Sequence, residues 1–210
     1  MVKEAILLCG GSGKRLGKIG ESIPKAMVPI NGKPIIDYQI EWLKSHSVTN
    51  IVLACGHLWE KLKEHLGDSV KYALEEEPLG TGGAIKNALQ YIEGDEFFCL
   101  NVDDITDIDL KKLAELGSNA ICLAKYMCPA GVVKTENGIV KEFQEKAVLD
   151  DVWVSCGVYI LNKSLELPEK GSIEYDVFPK TQLKAFKHDG LWVTVNTQKD
   201  IEEAEKVLKP

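Results

Sequence analysis

Short continuous apolar runs alternate with amphipathic stretches over the first 126 residues of the chain. AILLC (5–9) contains no polar position, the pattern of a parallel strand covered on both faces. After Pro34 a helical period runs from Ile35 to Leu43. NIVLAC (50–55) predicts a second strand, LWEKLKEHL (58–66) a helix and VKYAL (70–74) a third strand. AIKNALQYI (84–92) predicts a helix, FFCLNV (97–102) a strand, DLKKLAEL (109–116) a helix and AICLAKY (120–126) a strand. From residue 131 the pattern turns strand-rich, with GVVK and IVKEF joined by a hairpin-like ENG (136–138) and followed by VWVSCGVYIL. The last elements are a strand LWVTV (191–195) and a helix 198–208. Thr197 and Asp200 have capping-box spacing there, ahead of an apolar stripe of Ile201, Ala204 and Leu208.

This βαβα rhythm predicts a three-layer α/β/α fold on a mixed, mostly parallel sheet, the strand-rich part forming an antiparallel extension and the far wall of a cleft. No repeat, low-complexity segment or Ser/Pro-rich linker interrupts it. Residues 1–210 therefore read as a single domain, with a first half (1–118) and a second half (119–210).

Composition narrows the chemistry. The 210 residues are 45% apolar and 27% charged, an ordinary globular balance. A net charge of −7 argues against a general nucleic-acid binder. Residues 1–33 run the other way, with six Lys/Arg against Glu4 and Glu21, which suits a small anionic ligand. Six cysteines form no C-x-x-C pair and sit mostly in apolar runs, so they read as buried free thiols of a reducing, cytoplasmic compartment. No apolar run approaches the length of a membrane span or of a secretory signal. Of the 25 basic residues only Arg15 is an arginine, a planar fork in a chain that otherwise uses lysine.

Arg15 lies in LLCGGSGKRL (7–16), where glycines directly after a buried strand can turn backbone N–H groups onto phosphate oxygens. A Walker loop would need glycine at Leu8 and a hydroxyl at Arg15, and the dinucleotide fingerprint would need glycine at Leu16; both fail on spacing. What remains is G-G-x-G-x-R-L followed by Pro24-Lys25, with Arg15 and Lys25 set to converge on one polyphosphate.

GGSGKRL…PKAMVPINGKPIIDY resembles the signature of the sugar-1-phosphate nucleotidyltransferases, or nucleotide-sugar pyrophosphorylases. The resemblance continues in order through EEEPLGTGGAIKNAL (75–89), LNVDDITDIDL (100–110), VKEFQEK (140–146), SCGVYILN (155–162), SIEYDVFPK (172–180) and GLWVTVNTQKDI (190–201). It implies a Rossmann-related, glycosyltransferase-A-like catalytic domain. It further implies Mg²⁺-assisted attack of a sugar 1-phosphate on the α-phosphorus of an NTP, giving an NDP-sugar and pyrophosphate.

By that resemblance Leu8, Gly10, Gly11, Gly13, Gly80 and Thr81 line the nucleotide, and Arg15 and Lys25 are the catalytic cations. Gly80, Gly82 and Gly83 would allow the backbone close to a flat base. Glu75 stands where uridylyl members carry glutamine; its acceptor-only carboxylate suits the N1–H and N2–H₂ of guanine, and so GTP. The motif style E-x-x-P-L-G-T-G-G-A is similar to that of mannose- and heptose-type guanylyltransferases. Asp103 aligns with the metal-binding aspartate of N-G-D, with Asp104 the neighbouring alternative, while Asp107 and Asp109 suit the start of the next helix. Many relatives have W-x-D-x-G-T where this chain has Thr194; Asn196 fits a G-V-N variant and becomes the second metal ligand, with Thr194 a water-mediated contact.

Gly131, Glu145, Lys146 and Gly157 are the residues the resemblance assigns to the sugar phosphate. Because the attacking phosphate is already anionic, no protein base is required. Two other readings share the first loop: a cytidylyltransferase acting on an alcohol or polyol phosphate, and a non-catalytic nucleotide-sugar-binding regulatory subunit. A homodimer is common among the relatives and is not legible in the sequence.

Overall fold

Seven strands form the central sheet of the computed structural model, which describes residues 2–11, 13–17, 20 and 22–208. In chain order the strands are β1 (Glu4–Leu8), β2 (Pro29–Ile30), β3 (Lys33–Pro34), β4 (Asn50–Cys55), β5 (Lys71–Leu74), β6 (Glu96–Asn101), β7 (Asp104–Thr106), β8 (Ala120–Met127), β9 (Val132–Glu136), β10 (Ile139–Gln144), β11 (Val148–Asn162), β12 (Lys184–His188) and β13 (Trp192–Thr194). The α-helices whose bounds the described residues give are α1 (Ile35–Ser45), α2 (Trp59–Leu66), α3 (Gly80–Ala88), α4 (Leu110–Glu115) and α5 (Gln198–Val207). The sheet order is β12-β8-β11-β6-β1-β4-β5. Strands β5, β4, β1 and β6 run parallel, β11 is antiparallel to both β6 and β8, and β12 is parallel to β8.

The unbroken apolar runs have a simple cause: successive side chains point to opposite faces, and both faces are covered. Ala5 and Leu7 of β1, Ile51 and Leu53 of β4, and Phe98 and Leu100 of β6 pack with Ile36, Ile40 and Leu43 of α1, Leu62 of α2 and Leu113 of α4. The alternate residues, Ile6, Val52, Ala54, Phe97 and Cys99, pack with Ala84, Ile85 and Ala88 of α3 and with Ile173 and Val177. A third cluster, Leu16, Val28, Ile30, Ile35, Ile105, Val195, Ile201 and Ala204, ties the glycine loop to β7 and α5. This third cluster sits where the loop after β1 must be held. All six cysteines are free, and only Cys128 is not fully buried.

Four features differ from the sequence pattern. First, the strand-rich part divides: β11 is the antiparallel extension of the main sheet that the pattern implied, whereas β9 and β10 pair with each other in a separate two-stranded sheet. The hairpin turn is the one expected from ENG, with φ of 49° at Asn137 and 76° at Gly138. Second, α3 begins at Gly80, before its apolar period starts. Gly82 N–H donates to Gly171 O at 2.9 Å, and a Cβ on Gly83 would lie 2.5 Å from Glu169 O. Packing on 168–171 outweighs the poor helix propensity of glycine. Third, Lys184–His188 forms an edge strand whose lysine-rich sequence hides its β character. Fourth, Asp104–Thr106 forms a short strand paired with β13, in a stretch for which the pattern predicted no element. Asp109 does cap that helix, accepting from the amides of Lys111 and Lys112.

Candidate active site

Strands β1, β4, β5 and β6 all end at one edge of the sheet, and the loops leaving that edge form the crevice where open α/β sheets bind ligands. After β1, the amide of Cys9 continues the ladder to Ala54 O at 2.8 Å, after which Gly10 and Gly11 leave the sheet exposed. Gly13 takes φ 60°, and its backbone packs so closely against Gly20 that a Cβ on Gly20 would overlap Gly13 O. Ser12 lies outside the described residues. Leu16 N–H donates to Gly13 O at 2.8 Å, opening a 3₁₀ turn over Lys14–Leu16 that buries Leu16 in the third cluster. Arg15, between them, is exposed and has no side-chain partner among the described residues.

Lys25 is the centre of the geometry. Pro24, at φ −61° and ψ 148°, leads into a 3₁₀ turn (Lys25–Met27) whose Ala26 is fully buried, so the neighbouring side chain is aimed by an anchored backbone. Its ammonium donates to Asp103 Oδ2 at 2.5 Å and to Asn196 Oδ1 at 2.9 Å. Both ionic side chains are largely shielded, with 12% of Lys25 and 21% of Asp103 accessible. Asp103 follows buried Val102 just past β6, and Val195 N–H donates to Asp103 O at 2.9 Å. Asn196 is held from behind: its N–H and that of Thr197 donate to Asp200 Oδ2 at 2.9 and 2.8 Å, within the capping box of α5. Three residues far apart in the chain thus share one contact.

Asp104 is placed differently from Asp103. It is buried, and accepts from Trp192 Nε1 at 3.0 Å on one oxygen and from Asn101 Nδ2 at 3.3 Å on the other. Burial pushes its pKa well above the usual carboxylate range and the neighbouring Asp103 adds to the shift, while hydrogen bonds from Trp192, Asn101 and Thr194 oppose it. Gln39 donates to the Asp104 backbone carbonyl from α1. Gln39 did not stand out in the sequence, because a Gln on a helix face reads as a packing residue, and Trp192, at the W position of W-x-D-x-G-T, was assigned no role.

Glu75 lies beside the glycine loop. A Cβ on Gly10 would sit 3.2 Å from Glu75 Oε1, while Glu75 Oε2 accepts from Leu79 N–H at 3.0 Å. Thr81 faces away from that contact: its hydroxyl donates to Glu174 Oε2 at 2.7 Å and accepts from Ile173 N–H at 2.9 Å. Gly80 takes φ 73°, and the neighbour to which it brings the backbone close is Gly171. The glycines of this motif pack helix α3 on the 168–171 segment.

The sugar-phosphate candidates are less gathered. Gly131 backs onto the Phe143 ring of the exposed hairpin. Glu145 is exposed. Lys146, at φ 51° in the turn between β10 and β11, forms an ion pair at 3.6 Å with Glu203 of α5, the helix that follows Asn196. Gly157, at φ 70°, is required by close approach. A Cβ there would overlap Asp104 Oδ2 and lie 2.6 Å from Asn101 Nδ2. Replacing Gly157 with alanine is expected to destabilise the fold by about 2–4 kcal/mol, from the strained φ and the displaced polar pair together. Thermal denaturation reads this directly, and an unchanged midpoint would show that the 155–157 backbone can move aside.

Comparisons with known proteins give the family. A family model described as Nucleotidyl transferase matches residues 4–175. The chain is 37% identical over 214 residues to a D-glycero-alpha-D-manno-heptose 1-phosphate guanylyltransferase of Campylobacter jejuni, covering 94% of this chain and 96% of that protein. It is 34% identical to a mannose-1-phosphate guanyltransferase of Candida albicans, covering 94% of this chain and 62% of the relative. Among solved structures, HddC from Yersinia pseudotuberculosis complexed with GMP-PN superposes with a TM-score of 0.77 at 28% identity, over 99% of this chain and 100% of that one. With the family model covering most of its length and relatives above 30% identity aligned nearly end to end, the chain belongs to the nucleotidyl transferase family.

Proposed function

We propose that this protein transfers a guanylyl group from GTP to a sugar 1-phosphate of the mannose or heptose type and releases pyrophosphate. An oxygen of the sugar phosphate bonds to the α-phosphorus, and the bond from that phosphorus to the β-phosphate oxygen breaks. The carrying observation is the Lys25 ammonium gripped between Asp103 and Asn196 beside the glycine loop. A site built this way works by positioning and charge stabilisation, and needs no protein base.

The donors suit a hard divalent cation. One carboxylate oxygen and one amide oxygen converge on a single point, and the ammonium already there marks that point as a place for positive charge. Among the described residues no three His, Cys, Asp or Glu side chains cluster into a cage. A two-donor site of this kind is characteristic of Mg²⁺, which takes its remaining ligands from phosphates and water. Asp103 and Asn196 would hold the ion, and it would neutralise charge shared between the phosphates. Lys25 then turns from Asp103 to the phosphates, and Arg15, exposed on the loop, is available to the same charge. Lys146 and Glu145 are assigned to the sugar phosphate, and Gly131 and Gly157 to the approach of the sugar ring. Leu8, Gly10, Gly11 and Gly13 supply the backbone around the nucleotide, with Gly80 and Thr81 forming the helix start behind Glu75. Among the described residues no helix is long and apolar enough to cross a membrane.

Four NTPs assayed against a panel of sugar 1-phosphates with Mg²⁺, scored by pyrophosphate release, test this reading. Turnover with UTP or CTP and none with GTP would overturn the guanine assignment. Glu75→Gln replaces an acceptor-only group by one that is half donor. It is expected to lower kcat/KM for GTP by about 10- to 100-fold, the range for a site left with a mismatched polar pair.

A further inference from the structure

We infer that Thr194 and Asp104 are positioning residues that fix which end of the Asn196 amide faces the metal point. The inference rests on the proposed role of Asn196 and concerns a choice that sterics alone leave open. The oxygen and nitrogen of an asparagine amide are almost the same size, so only the hydrogen-bond network decides which of them faces a given side. Presenting Nδ2 to a divalent cation would abolish the contact.

The network has a single consistent polarity. Asp104 stands directly opposite Thr194 in the β7–β13 pairing, which sets the two side chains on the same face of that strand pair. Each Asp104 oxygen accepts from a group that can only donate, Trp192 Nε1 on one side and Asn101 Nδ2 on the other. Asp104 thus lies beside Thr194 as a neighbour for its hydroxyl, and Thr194 Oγ1 is free to accept. It does so from Asn196 Nδ2 at 2.8 Å. The amide nitrogen is thereby turned towards Thr194 and the amide oxygen towards Lys25 Nζ, 2.9 Å away. The chain of donors runs from Lys25 through Asn196 to Thr194, with Asp104 facing Thr194 across the strand pair.

The surroundings hold Asp104 in that task. Its Oδ2 fills the space that a Cβ on Gly157 would need, and its backbone carbonyl is pinned by Gln39. Buried and facing Trp192, Asn101 and Thr194, it is set back from the Lys25–Asp103 contact that its neighbour makes. Neither Thr194 nor Asp104 needs to touch substrate for this role, since each acts through Asn196.

The test uses the full chain with Mn²⁺ and GTP in the absence of sugar phosphate, free Mn²⁺ being read by electron paramagnetic resonance. Thr194→Val keeps the branched shape of the side chain and removes the hydroxyl. It is expected to weaken nucleotide-dependent Mn²⁺ binding by about 10- to 100-fold, the range for losing an outer partner of a metal ligand. Thr194→Ser, which restores the hydroxyl, should bind as wild type does, and Asp104→Asn should weaken binding in the same direction as Thr194→Val. A chain carrying Asn196→Asp has oxygen at both ends of the side chain and needs no orienting, so adding Thr194→Val to it should change Mn²⁺ binding little. A purely structural role for Thr194 would weaken both backgrounds equally, and that result overturns the inference. So does a folded Thr194→Val chain that binds Mn²⁺ as tightly as wild type. A wild-type chain that neither binds Mn²⁺ with GTP nor releases pyrophosphate overturns the proposed function itself.

Discussion

Lys25→Ala should lower turnover by about 10²–10³-fold, the cost of removing a group aimed at developing charge in phosphoryl and acyl transfer. The structure adds a second, opposite expectation. In the free protein the Lys25 ammonium occupies both Asp103 Oδ2 and Asn196 Oδ1, so an incoming divalent cation must displace it. Removing the ammonium vacates those oxygens and leaves the Asp103 charge, on a largely shielded side chain, without its partner. Binding of Mg²⁺ to the free variant should accordingly be tighter than to wild type even as turnover falls. Calorimetry of Mg²⁺ binding beside single-turnover kinetics checks both halves. Normal turnover would remove Lys25 from the catalytic role, and unchanged Mg²⁺ binding would mean that the ion does not sit between these two oxygens.

Arg15→Ala carries a comparable expected loss, about 10²–10³-fold in kcat, with almost no effect on stability. The reason for the split is that Arg15 is exposed and has no side-chain partner among the described residues. Surface substitutions of that kind change stability by no more than about 0.5 kcal/mol, so the thermal midpoint should hardly move. Arg15→Lys should recover only part of the lost rate, because an ammonium restores charge without the two-pronged donor geometry of a guanidinium. Full recovery by lysine would reduce the one arginine of the chain to a point charge. Normal turnover of Arg15→Ala would show that the loop binds phosphate through backbone and Lys25 alone.

How much of this was legible beforehand depends on the range of the interactions concerned. NIVLAC and its neighbours revealed strands buried on both faces, because alternate side chains both meet covering helices and no polar position is tolerated. The Thr197–Asp200 capping box was readable because its partners lie three residues apart. The ENG turn was readable because a two-residue hairpin loop demands positive φ at consecutive positions. By contrast, β12 escaped notice because an edge strand buries little and its lysines match a solvated loop. The start of α3 was hidden because its glycines are chosen for contact with 168–171, a partner some 90 residues distant in the chain.

The site divides along the same line. The chain itself determined the ingredients: a glycine loop directly after a covered strand, one arginine in it, a lysine after Pro24, paired aspartates at a strand end and an asparagine before a helix cap. Each is a local pattern whose physical demand is met within a few residues. Tertiary structure alone decided that Lys25 would meet residues 78 and 171 positions away, while the choice of Asp103 rather than Asp104, implied by the motif alignment, has its physical cause in the fold. Consecutive residues at a strand end face opposite ways, so which aspartate reaches the crevice depends on the register of β7 against β13 and on the strand order that brings β6 beside β1. Those pairings are long-range, and no short stretch of sequence carries the information for them.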